Sequence, residues 1–170
     1  SSIGSVVISE FLAANGGAVS NTVNGTRDED FDLSPWIELY NSGASTVDLS
    51  GWSLTNDADE PAMWIFPQRT LAAGARLVVW ASGKDRRVPG APLHTNFSLK
   101  ATGEYLGLTQ PDGTTTQEYA PEFPNQDPDR GYGLAFTRTV LVADGALADF
   151  RVPTSSAQLP ANWNTAATTP

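Results

Sequence analysis

Asp28, Asp30 and Asp32 alternate in the stretch DEDFDLSPWIELYN, residues 28–41, and Glu29 adds a fourth carboxylate to the run. Carboxylates in the pattern D-x-D-x-D can converge on one hard cation, and calcium suits them because it takes many oxygen ligands at flexible geometry. A helical calcium loop also requires glycine at its sixth position and glutamate at its twelfth, but Leu33 and Leu39 stand there, so the EF-hand pattern fails. What remains is a non-helical calcium site at Asp28, Asp30 and Asp32, its shell completed by Ser34, backbone carbonyls or Glu38. The competing reading is a solvated acidic loop leading into a buried strand, since clustered carboxylates repel one another unless cation or solvent screens them.

Other chemistry is sparse. His94 is the only histidine, so no two-histidine metal motif exists; a serine triad would have to use it, yet no G-x-S-x-G elbow accompanies it. The surrounding LHTNF predicts a partly exposed strand edge for His94. Glu10 and Glu38 lie in strand-like segments, and two carboxylates facing across a cleft can hydrolyse glycosides. Strand carboxylates more often pair with arginine or backbone. The basic cluster KDRR, Lys84 to Arg87, reads as a solvated turn balanced by Asp85, or else as a contact patch for an acidic partner. Arg130 is expected to pair with a nearby aspartate in DPDRG, and the sequons at Asn24 and Asn96 read as accidental. With no cysteine, thiolate metal sites, cysteine nucleophiles and disulfides are excluded.

The elements that must position these residues are strands. SVVISEF, WIELY, VDLSGWSLTN, AMWIFP, ARLVVWAS and LGLTQPDGTTTQEY are short apolar or alternating segments separated by turn residues. Pro111-Asp112-Gly113 between two of them is a hairpin signal, while AANGGAVSNTVNG reads as a long polar loop. YGLAFTRTVLVA is the last strand region, and ALADF is at most a single helical turn. No window carries a capped helix. Trp36, Trp52, Trp64, Trp80 and Phe66 fall at apolar strand positions and read as core; an aromatic platform for sugar rings would need several of them exposed side by side.

The chain of 170 residues, 40% hydrophobic, can bury one sizeable core. Its net charge of -9 and pI near 4.4 repel nucleic-acid phosphates and anionic lipid, and no apolar run reaches the ~18 residues of a membrane span. An opening Ser1 rather than Met leads us to expect a mature or excised segment. Residues 1–145 are expected to form the domain, and the Pro-, Thr- and Ala-rich residues 146–170, with Trp163, a tail or linker toward a following domain.

The order ISEFLAANG, acidic loop, WIELYNSGASTVDLSGWSLTND, WIFP, LAAGARLVVWASGKDR, LHTNFSLKATGEYLGLTQPDG and FPNQDPDRGYG resembles a bacterial lamin tail domain over roughly Ser5 to Gly133. The resemblance implies an immunoglobulin-like antiparallel β-sandwich with long loops and little helix. It also implies a module without catalytic residues of its own, carried by large exported or surface proteins. Heptad repeats and a basic localisation stretch are missing, so nuclear partners are not implied. The expectation is therefore a non-enzymatic interaction or adhesion module of an exported multidomain bacterial protein, secreted or at the cell surface. Its partner would be a protein or cell-surface component, and it would require no cofactor; calcium at the acidic loop would be an optional ligand that pins the loop. The alternatives are a carbohydrate-binding accessory domain and, less favoured, a carboxylate-dependent hydrolase.

Overall fold

The computed structural model describes residues 5–16, 18–19, 22–23 and 25–134; among them the chain forms thirteen strands and no helix. In chain order they are β1 (Val6–Leu12), β2 (Ala18–Val19), β3 (Thr22–Val23), β4 (Trp36–Asn41), β5 (Val47–Asp48), β6 (Ser53–Thr55) and β7 (Trp64–Ile65). There follow β8 (Thr70–Leu71), β9 (Arg76–Trp80), β10 (Leu93–His94), β11 (Leu106–Thr109), β12 (Thr115–Tyr119) and β13 (Tyr132–Gly133). One sheet runs β10-β9-β4-β1-β13 and another β12-β11-β6-β7, with β2–β3 and β5–β8 as separate short pairs. Among the described residues, only the β10–β9 pairing is parallel. The expected all-β antiparallel sandwich is the architecture observed.

The core lies between the inner faces of the two larger sheets. Ile37 and Leu39 of β4 and Val79 of β9 are fully buried from one side; Leu54, Trp64, Leu106 and Leu108 meet them from the other. The alternation in WIELYN is thus the pleat itself: odd residues go inward, and Trp36, Glu38 and Tyr40 face outward, half-buried. Trp52, Trp64 and Phe66 are core as expected. Trp80 is buried too, but on the outer face opposite Trp36, where it stacks against His94 with ring centroids 6.4 Å apart.

β1 does not alternate cleanly, and its pairing explains why. Ile8 pairs with Leu39 and Glu10 with Glu38, so Ser9 is an extra residue, a β-bulge. Before the bulge the core-facing residues are Val6 and Ile8; after it they are Phe11 and Ala13. One inserted residue flips the facing parity, so SVVISEFLA buries apolar groups that a strict two-residue period would expose. The short β13 reaches this point because Gly133 has no side chain: a Cβ there would stand 2.1 Å from the Ser9 carbonyl oxygen. Leu134 N–H donates to that same carbonyl at 3.0 Å.

The remaining edge of β1 is closed by side chains instead of a strand. Gln117 of β12 accepts from Ile8 N–H through Oε1 at 2.7 Å and donates to Ile8 C=O through Nε2 at 3.2 Å. Its amide copies the two groups a neighbouring strand would offer. Gln126 does half of this further along, accepting from Ala13 N–H at 2.7 Å. A sheet edge closed in this way cannot pair with another chain.

Several expectations need adjustment. The loop AANGGAVSNTVNG contains the paired strands β2 and β3. His94 is on an edge strand as expected, but it is completely buried rather than partly exposed. The Pro111-Asp112-Gly113 hairpin is present, with β11 and β12 antiparallel around it. Only Tyr132, Gly133 and Leu134 of the expected last strand are described; the rest of it, ALADF, Trp163 and the tail 146–170 lie outside the described residues.

Candidate functional site

The antiparallel register of β4 and β9 places Trp36 opposite Trp80. The loop entering β4 therefore lies beside the loop leaving β9, and DEDFD meets KDRR. The acidic loop is shaped by its own first residue. Asp28 Oδ1 accepts the backbone N–H groups of Asp30 at 3.0 Å and Asp32 at 2.9 Å, while Asp28 N–H donates to Asp32 C=O at 3.0 Å. A short acid folding its own backbone is the usual reason for aspartate in such a turn. Phe31 takes a left-handed conformation with φ 66° to complete it, and its ring is left 77% exposed.

The sequence-predicted ligands Asp28, Asp30 and Asp32 do converge: one carboxylate oxygen from each lies within 4.8 Å of the others. At the focus of the three is the Lys84 ammonium, 2.6 Å from Asp28 Oδ2, 2.7 Å from Asp30 and 2.9 Å from Asp32. Asp28 Oδ2 also accepts from the Ser34 hydroxyl at 3.0 Å. With two bonds to each oxygen, the acceptor capacity of the Asp28 carboxylate is filled. Calcium here would therefore have to displace Lys84 from Asp28. Burial pushes the Asp28 carboxyl up, but hydrogen bonds from Lys84, Asp32, Ser34 and Asp30 outweigh it and bring it to about 2. The Lys84 ammonium loses solvation yet is raised by the same three carboxylates.

Beside this focus is a second one. Arg86 binds Glu29 at 2.7 Å through Nη1 and Asp30 at 2.6 Å through Nη2. His94, whose backbone pairs with that of Arg86, directs Nε2 to Glu29 Oε1 at 2.8 Å and Nδ1 to Ser82 Oγ at 2.8 Å. Burial raises the Glu29 carboxyl, but its own backbone N–H, Arg86 and His94 pull it lower overall. An ionised Glu29 only accepts, so Nε2 carries the hydrogen; in the neutral ring, Nδ1 then takes the Ser82 hydroxyl. Serine, histidine and carboxylate in a row are the parts of an acyl-transfer triad. Here they are differently employed: the imidazole has no exposed surface, Glu29 is shared with Arg86, and Ser82 Oγ accepts Lys84 N–H at 3.3 Å. The arrangement locks a buried imidazole between two loops.

Lys84 and Arg86 are thus bracket residues rather than members of a solvated turn; only Arg87 makes the expected local pair, with Asp85 at 2.7 Å. Glu10 and Glu38 are cross-strand partners on one sheet and do not face each other across a cleft. Glu38 Oε1 is held by Arg76 at 2.5 Å and by Ser9 Oγ at 2.6 Å. Arg130 pairs with Asp127 at 3.1 Å as expected. Ser82 and the pairing role of Glu29 are missing from the expectations drawn from the sequence, whereas Ser34, expected beside these carboxylates, donates to Asp28. The signal for Glu29 was available in the opposite charges flanking two strands that were both recognisable.

A family model described as Lamin Tail Domain matches residues 1–122. No curated protein matches the chain.

Proposed function

Since the chain belongs to the lamin tail domain family, whose immunoglobulin-like domains are non-catalytic, we propose that it serves as an interaction module of an exported, multidomain bacterial protein. Its partner is a protein or cell-surface component, and its place is outside the cell or on its surface. The observation that supports this most is the commitment of the polar clusters. Asp28, Glu29, Asp30 and Asp32 are engaged by Lys84, Arg86 and His94, which leaves their chemistry spent on holding two loops together. The work is then left to surface contact. Calcium in this reading is a competitor for Lys84 at the acidic focus, not a requirement of the fold.

The test is retention of bacterial cell-envelope fractions on the immobilised chain, measured by interferometry, with protease-treated and glycosidase-treated fractions in parallel. Saturable retention lost on protease treatment supports the proposal. Retention lost only with glycosidase would replace it with a carbohydrate-binding accessory domain. No retention, together with turnover of chromogenic glycosides, would favour the hydrolase.

A further inference from the structure

β10 pairs with β9 only at Val79 and Trp80. Because that pairing is parallel, the residues before Leu93 would run alongside Val78 and Leu77 if the ladder continued. They do not. Pro92 has no N–H to offer, and the chain turns away through Gly90, at φ 83°, with Ala91 N–H donating to Val88 C=O at 3.2 Å. The divergence opens a groove of about 420 Å³ between the first half of β9 and the turn into β10, lined among others by Arg69, Leu77, Val78, Trp80, Pro92 and Leu93.

Two properties of this groove point to an occupant. One is its backbone. The bonds Asn41 N–H to Ala75 C=O and Ala81 N–H to Pro35 C=O set the alternation of the β4–β9 ladder, so Leu77 and Val79 turn their polar groups to β4. Val78 therefore turns its N–H toward the groove, past the point where β10 ends. The exposed edge of β1 is closed by Gln117 and Gln126; no side-chain amide among the described residues does the same at Val78. Its side chain is 40% exposed beside it.

The other property is charge. Of the eight described cations, Arg76, Lys84, Arg86, Arg87, Lys100 and Arg130 pair with carboxylates. Arg27 donates to Phe31 C=O. Arg69, at the groove, has no side-chain partner among the described residues, in a chain of net charge -9. An unpaired guanidinium beside an apolar wall and an open strand edge is complementary to an extended segment that carries both an apolar side chain and a carboxylate.

We propose that this groove binds a short extended peptide segment of a partner protein, which adds beside β9 at Val78, lays an apolar side chain against Val78 and Trp80, and sets a carboxylate on Arg69. The proposal rests on the interaction-module reading and gives it a binding face and a partner chemistry.

The experiment is selection of a displayed library of random linear peptides on the whole chain, followed by anisotropy titration of the enriched peptides against the wild type, Arg69→Gln and Val78→Glu. Both variants alter partly exposed side chains, and their melting curves establish that they fold. Enriched peptides should combine β-branched residues with Asp, Glu or a terminal carboxylate. Arg69→Gln should weaken them about tenfold, the loss of one charge-assisted contact, and replacing the peptide carboxylate by an amide should cost nothing further in that variant. Val78→Glu should abolish binding. Equal binding to all three proteins, or no enrichment, overturns the groove. A concentration-dependent dimer broken by Val78→Glu overturns it in favour of a second copy. If cell-envelope fractions are still retained by both variants as by the wild type, the groove is wrong while the interaction module stands; if the wild type retains none, it is the module that fails.

Discussion

Replacing Asp28 by asparagine tests the bracket at its most buried carboxylate. The side chain of Asp28 is completely buried, whereas those of Asp30 and Asp32 are 37% and 62% exposed. The Asp28→Asn substitution keeps an oxygen for the N–H groups of Asp30 and Asp32, removes the charge that Lys84 meets, and replaces the oxygen that accepts from Lys84 and Ser34 by a donor. The fall of the Asp28 carboxyl from 3.8 to about 2 corresponds to about 2 kcal/mol of folding stability. Its sign follows from linkage. A carboxyl held below its unfolded value contributes fully above about pH 4, and the contribution is lost as pH falls through about 2. Only about 0.4 kcal/mol of it survives at pH 2. Urea unfolding at pH 7 should therefore place the variant about 2 kcal/mol below the wild type, a melting decrease of about 4 to 8 °C, and at pH 2 the two should nearly coincide. A gap of the same size at both pH values would refute the reasoning, because it would mean that the amide disturbs packing and the charge contributes nothing.

Two more outcomes follow from the same structure. Lys84→Met leaves Asp28, Asp30 and Asp32 with no ammonium between them, so the variant should melt several degrees lower and regain stability in millimolar calcium, while the wild type melts alike in calcium and EDTA; a wild type that calcium stabilises as strongly would make the ion a native ligand. Gln117→Leu strips Ile8 of both partners at the bulge and should cost about 1 to 3 kcal/mol, with faster hydrogen exchange at the Ile8 amide; unchanged protection there would mean that another group covers the edge.

How far the sequence reveals this molecule depends on how local each feature is. WIELY and the Pro111-Asp112-Gly113 hairpin are legible because pleat and turn chemistry act over a few residues. The Ser9 bulge is not, since an inserted residue looks like any other until its partner Glu38 is known. The convergence of Asp28, Asp30 and Asp32 is visible in their spacing, but what stands between them is Lys84, 56 residues later in the chain. Only the β4–β9 register makes those loops neighbours. His94 shows the same limit: an edge strand next to polar residues reads as exposed, and burial comes from Glu29, Ser82 and the Trp80 ring closing over it.

The separation of Lys84 from Asp28 also has a kinetic consequence. Their contact closes a long loop and becomes possible only after β4 and β9 have paired, so the bracket is expected to form on the native side of the folding barrier. Interactions made that late slow the departure from the native state without hastening its arrival. The charges on these two loops would then act as a latch, setting how long the sandwich stays closed more than how fast it assembles. Stopped-flow measurements on Asp28→Asn should show the change in the unfolding limb; a change confined to the refolding limb would place the latch in the folding nucleus instead.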